Sequence, residues 1–150
     1  MLKKIIKLLL LVLCMTMIFY FSHETGANSS NTSNIVVEII FNIIKPLLDA
    51  NITLNIFTEM FGGFIRELAH FSEFMLLGII AYINVLEYFD LHRFIYTLLF
   101  CVMYAISDEI HQYFIPNRVC SIEDILIDTL GALVGLLFIH QLTKRCLKKN

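Results

Sequence analysis

Leu91-His92-Arg93-Phe94-Ile95-Tyr96-Thr97-Leu98-Leu99-Phe100-Cys101-Val102-Met103-Tyr104-Ala105-Ile106 runs directly into Ser107-Asp108-Glu109-Ile110-His111-Gln112-Tyr113-Phe114-Ile115-Pro116-Asn117-Arg118. The first part has the apolar grade of a membrane span. The second gathers two carboxylates, an imidazole, an amide and an arginine within twelve residues. A charged side chain at the bilayer centre costs on the order of 2.5–3.5 kcal/mol on insertion scales. Polar groups crowded at the end of such a helix therefore mark a site, because solubility does not require them there.

The rest of the chain has the same character. Of 150 residues, 58% are hydrophobic and only 16% charged, with thirteen Phe and no Trp, which argues against an ordinary water-soluble fold. The length fits one domain over 1–150. A net charge of -2 without a basic stripe gives no reason to expect nucleic acid as a partner. Cys14, Cys101, Cys120 and Cys146 are scattered, with neither a CxxC pair nor a disulfide framework.

A span needs about 20 apolar residues. Four segments qualify, at about 5–22, 65–86, 91–113 and 122–142, and predict an all-α integral membrane bundle. The first resembles a signal sequence in its basic start, but its apolar core runs long for one. Lys3, Lys4, Lys7, Arg93, Lys144, Arg145, Lys148 and Lys149 fall on one side, and Lys45, Arg66 and Arg118 on the other, eight against three. This asymmetry predicts a multi-pass protein of the cell membrane with both termini cytoplasmic.

The first outer loop, about 23–64, opens with the polar run Asn28-Ser29-Ser30-Asn31-Thr32-Ser33-Asn34. Apolar residues then recur at 36, 39, 40, 43, 44 and 47, the spacing of a helix. That segment is too short to span, so an interfacial helix ended or bent by Pro46 is expected.

Spans two, three and four meet the outer side where their polar residues lie. At 100° per residue, Arg66, His70 and Glu73 share one face, and Asp108, His111 and Gln112 another, with Glu109 on its flank. On span four, Asp124, Asp128, Gly131 and Gly135 fall within about 60° of arc. A Gly-x-x-x-Gly stripe permits close helix contact in a bilayer, so the aspartates continuing it face other helices and not lipid. One inward-facing polar pocket is the expected result. Asp108, Glu109, His111, His70 and Asp128 are its candidate acid–base groups, and Arg66, Glu73, Gln112, Arg118 and Asp124 its candidate ligand-binding groups.

Arg66-Glu67-Leu68-Ala69-His70-Phe71-Ser72-Glu73-Phe74 resembles the R-K-x-A-H-F-x-E-Y segment of the VanZ-like family of small bacterial membrane proteins. Asp108 to Arg118 is similar to that family's D-E-x-H-Q-x-F-x-P-x-R, and Asp124, Asp128, Gly131 and Gly135 fit the pattern that follows. Glu67 and Phe74 depart from the family's basic residue and tyrosine. The resemblance implies an envelope protein with four or more spans and a link to lowered teicoplanin susceptibility, but no settled chemistry.

Three functions stay open on the residues. The pocket binds or acts on a lipid-linked or cell-wall headgroup at the outer leaflet; or the protein is a non-catalytic partner of wall synthesis, with membrane lipid around it; or it is a small transporter. The two arginines suit an anion, and a phosphate facing so many carboxylates calls for a bridging divalent metal, Mg, Mn or Zn.

Overall fold

The computed structural model describes residues 1–49, 51–85 and 92–147, with side chains to residue 145. Leu86, the connection expected over 87–90, Leu91, and Lys148 and Lys149 lie outside the described residues. Among those described the chain is helical, without a strand: α1 is Leu2–Ser22, α2 Gly26–Ile44, α3 Leu54–Val85, α4 Arg93–Gln112 and α5 Ile122–Leu147, with a 3-10 turn at Lys45–Leu47. The expected membrane bundle is thus present. α1, α3 and α4 are each long and apolar enough to cross a membrane. The 26 residues of α5 extend over about 39 Å at 1.5 Å per residue.

The bundle has its apolar side chains both inside and outside. Cys14 and Ile18 of α1, Phe74, Leu77 and Ala81 of α3, Cys101 and Ala105 of α4, and Ala132 of α5 form the buried core. Its outer surface is also apolar: Leu9, Leu13, Leu99, Met103, Leu126 and Phe138 are exposed. Hydrocarbon solvates such a surface at no cost, whereas water does not tolerate a contiguous apolar patch of this size.

α3 and α5 run in the same direction and pack backbone to backbone. Gly131 sits against the backbone of Phe71, and Gly135 one turn on against that of Met75. A Cβ at either glycine would meet a main-chain carbonyl, which cannot swing away as a side chain would. The expected glycine stripe therefore does face another helix, and that helix is α3.

Two boundaries differ from the sequence expectation. α3 begins at Leu54 and not at 65, and the helix expected near 35–45 begins at Gly26. The two extensions support each other. Val37 and Phe41 of α2 bury against Phe57 of α3, with Ile40, Ile44 and Ile65 around them, so α2 is one arm of a helical hairpin and not an isolated surface helix. Within α2 the side chains of the polar run 28–34 bond to their own backbone. Thr25 Oγ1 accepts from the Asn28 N–H, and the hydroxyls of Ser30, Thr32 and Ser33 donate to the carbonyls of Gly26, Asn28 and Ser29. Pro46 lies in the 3-10 turn that ends α2, as expected. At about 48 Å, α3 exceeds the roughly 30 Å hydrocarbon thickness, so its first third is spare length for the hairpin.

Candidate functional site

The C-terminal ends of α1 and α4, the N-terminal end of α5 and the middle of α3 meet at one end of the bundle. Each supplies polar groups for a local reason. Residues 113–121 turn the chain from α4 to α5, with Asn117 at φ 60°, a left-handed conformation that Asn tolerates better than most residues. The turn is pinned to the α1–α2 corner by the Gly26 N–H, which donates to the Pro116 carbonyl at 3.2 Å. Ser121 caps α5: its Oγ accepts from the N–H groups of Glu123 and Asp124 at 3.1 and 3.4 Å. Its own N–H donates to Glu109 Oε2 at 2.9 Å, which ties the α5 cap to α4.

Arg118 is the strap across this end. Nε donates to the Glu24 carbonyl at 3.2 Å, Nη2 to the Phe21 carbonyl at 3.4 Å and Nη1 to Gln112 Oε1 at 3.3 Å. Gln112 Nε2 in turn donates to Asp108 Oδ2 at 2.9 Å. A relay of fixed polarity thus runs from Arg118 through Gln112 to Asp108, and three of the five guanidinium N–H groups are used in the strap. Burial, followed by the neighbouring Arg66 guanidinium, lowers the Arg118 pKa from its ordinary value, while Asp108, Glu109 and Glu24 oppose the shift. The two arginines therefore feel each other, yet an arginine remains charged at any physiological pH.

Behind the strap lies the densest cluster. Donor atoms of His70, Asp108 and Asp128, from α3, α4 and α5, all lie within 4.8 Å of one another. His70 is 12% exposed and Asp128 fully buried, with Nδ1 and Oδ1 3.7 Å apart, too long for a hydrogen bond. Both Asp128 oxygens, His70 Nδ1 and Glu109 Oε1 are buried without a hydrogen-bond partner among the described residues. Buried polar atoms are nearly always paired, and an unpaired one costs about 1–3 kcal/mol. Four in one corner of a small bundle is a large departure from that rule.

A cavity of about 190 Å³ opens beside this cluster, between α1, α2 and α3. Arg66, His70, Glu73 and Arg118 line it, with Glu24 and the hydroxyl residues Ser29, Thr32 and Ser33. His70 is the shared residue: it lines the cavity and also reaches the two aspartates. The α2 face that borders the cavity continues as Ser29, Ser33, Val37, Ile40 and Ile44. The last three line an apolar groove of about 410 Å³ with Phe57, Phe61 and Ile65 of α3.

The structure brings Arg66, His70, Glu73 and Arg118 to the cavity, and His70, Asp108 and Asp128 to the carboxylate cluster. Gln112 connects the two through Arg118. Glu109 is buried beside them and occupied by the α5 cap. Asp124 is half-buried in the first turn of α5, where a negative charge suits the helix dipole. His111 does not join Asp108 and Gln112. Its ring stacks on His23 and packs on Phe19, with Nε2 3.3 Å from His23 Nδ1. The 100° arithmetic puts these three residues on one face, but the His111 ring packs on Phe19 and His23 while the Asp108 carboxylate is grouped with His70 of α3 and Asp128 of α5. The α1–α2 corner and the α2 hydroxyls were not anticipated. Their signal was the four-residue spacing of Ser29, Ser33 and Val37, hidden inside a run that reads as a loop.

The departures at Glu67 and Phe74 leave the cluster intact, since Glu67 is exposed and Phe74 is buried with its ring 6.1 Å from that of Tyr104. A search among curated proteins and one among solved structures each found no match. A family model described as VanZ/LLP1 matches residues 7–144, a span that contains every residue of the cavity and the carboxylate cluster. This multi-helix protein of membrane character belongs to the VanZ/LLP1 family.

Proposed function

We propose that the polar end of the bundle faces the outside of the cell membrane, with both termini cytoplasmic, and binds the phosphate-bearing headgroup of a lipid-linked cell-wall precursor, lowering teicoplanin susceptibility. The observation that carries this reading is the cavity between α1, α2 and α3. It is smaller than the 300–1,000 Å³ typical of a complete small-molecule site, so it accepts a headgroup and not a whole amphiphile. Arg66 and Arg118 offer charge-assisted, geometrically directed donors to an anion. The α2 hydroxyls add neutral donors of the kind that a phosphate or sugar accepts. The stripe that turns apolar at Val37 continues from the cavity toward the groove, which fits a ligand with a polar head and a hydrocarbon tail.

His70 stands between the cavity and the buried aspartates and is placed to hydrogen-bond a bound headgroup. A purely adhesive role for the cluster fits the geometry less well. Interhelical glue works by pairing polar atoms, and here the Asp128 oxygens and His70 Nδ1 are unpaired. Conduction is less well supported, because the layer directly below the cluster is the apolar set Cys14, Leu77, Ala81, Cys101 and Ala105.

The test is a teicoplanin susceptibility assay in cells expressing the protein. Asp108→Asn and Arg118→Lys should each remove the phenotype at wild-type expression. If both variants keep full resistance, the headgroup reading fails and a structural partner of wall synthesis replaces it.

A further inference from the structure

We infer that His70, Asp108 and Asp128 form a divalent cation site built across α3, α4 and α5. It shares His70 and the unpaired Asp128 oxygens with the headgroup reading, but its test uses no lipid, so the two can fail separately.

Three donor atoms within 4.8 Å of one another fit inside a circle of radius no larger than about 2.8 Å, so a point exists within that distance of all three. The ligand distances of Zn²⁺, Mn²⁺ or Mg²⁺ to N and O are about 2.0–2.2 Å. Each donor needs to move less than about 1 Å to close on one ion, within the reach of ordinary side-chain torsions. The pair His70 Nδ1 and Asp128 Oδ1 shows this most clearly. At 3.7 Å they are too far apart to share a proton well, but two ligands of one tetrahedral ion at about 2.05 Å stand roughly 3.3–3.4 Å apart.

The second, independent observation is Asp128 itself. It is fully buried, and both of its oxygens lack a protein partner among the described residues. Two buried carboxyl groups and one imidazole converge there with more acceptor atoms than the protein satisfies, a donor set that a divalent ion would complete. The structure also holds the supporting features of a metal site. Gln112 fixes one Asp108 oxygen and is itself fixed by Arg118. The cavity wall at His70 provides the entry route. An imidazole with two carboxylates suits Zn²⁺ or Mn²⁺ better than Mg²⁺, which binds through oxygen and keeps its waters.

The experiment is elemental analysis of full-length protein purified in detergent, stripped with chelator, reloaded separately with Zn²⁺, Mn²⁺ or Mg²⁺ and desalted. The wild type should retain about one equivalent of one of these ions, and Glu123→Gln, outside the cluster, should match it. His70→Gln and Asp128→Asn should lose that ion while their helical circular dichroism stays at the wild-type level. Gln112→Ala should weaken affinity by roughly 10–100-fold through the misoriented Asp108. Should a ligand variant misfold, the wild type still decides through Co²⁺, whose visible spectrum reports an N/O ligand set. Retention by the wild type below about a tenth of an equivalent for all three ions overturns the site. So does an unchanged equivalent in well-folded His70→Gln and Asp128→Asn.

Discussion

Gly131→Ala isolates the contact that brings His70 to Asp128. The new Cβ meets the Phe71 carbonyl, one residue from His70 and three from Asp128, so the helices must separate there. Overpacking typically costs about 1–3 kcal/mol, and a main-chain obstacle puts this site at the upper end. Alanine also gains about 1 kcal/mol of helix propensity over glycine. The net expectation is a loss of about 2 kcal/mol. Gly63→Ala is the internal control, since it lies in the same long helix as His70 and its new Cβ would have nothing within 4 Å. It receives the propensity gain alone and should be stabilised by up to about 1 kcal/mol. Reversible denaturation of purified protein, followed by circular dichroism, measures both. The difference between the two variants, about 3 kcal/mol, is the steric term free of propensity. If Gly131→Ala and Gly63→Ala agree within about 0.5 kcal/mol, α3 and α5 do not approach as described, and the proximity of His70 to Asp128 falls with them.

Other expectations follow from single residues. Asp128→Asn keeps the shape and removes a buried carboxyl that lacks a partner, so in chelator it should be about as stable as the wild type in thermal denaturation; a loss above about 1 kcal/mol would show the carboxyl to be paired. His111→Gln should leave more teicoplanin resistance than Asp108→Asn, because the His111 ring packs on Phe19 and His23 and is not one of the three grouped donors; equal loss would place it in the working site. Exposed Cys120 should react with an impermeant maleimide in intact cells, and labelling only after lysis would reverse the orientation.

Much of the site was legible because a bilayer penalises ionisable groups. His70, Asp108 and Asp128 stood out against apolar surroundings, and the glycine stripe showed which face of α5 is packed. What the sequence concealed depends on partners. The run 28–34 has loop composition; the Thr25 cap starts its helix, and packing of Val37 and Phe41 on α3 holds the helix it opens. The early start of α3 was hidden for a related reason, since Leu54 to Ile65 gains its helix from packing on Val37 and Phe41 and not from continuous apolar character. His111 shows the limit of face arithmetic: periodicity gives a direction around α4, but only the placement of α1 decides what lies in that direction.

The headgroup claim is tested most directly by native mass spectrometry of the wild type and of an Arg66→Gln/Arg118→Gln double variant, each released gently from the membranes that produced it. The wild type should retain a lipid whose fragments contain phosphate, and the double variant, at equal thermal stability, should lose it. The same lipid complement on both proteins, or phosphate-free lipid alone on the wild type, would contradict a phosphate-bearing headgroup held by these two arginines.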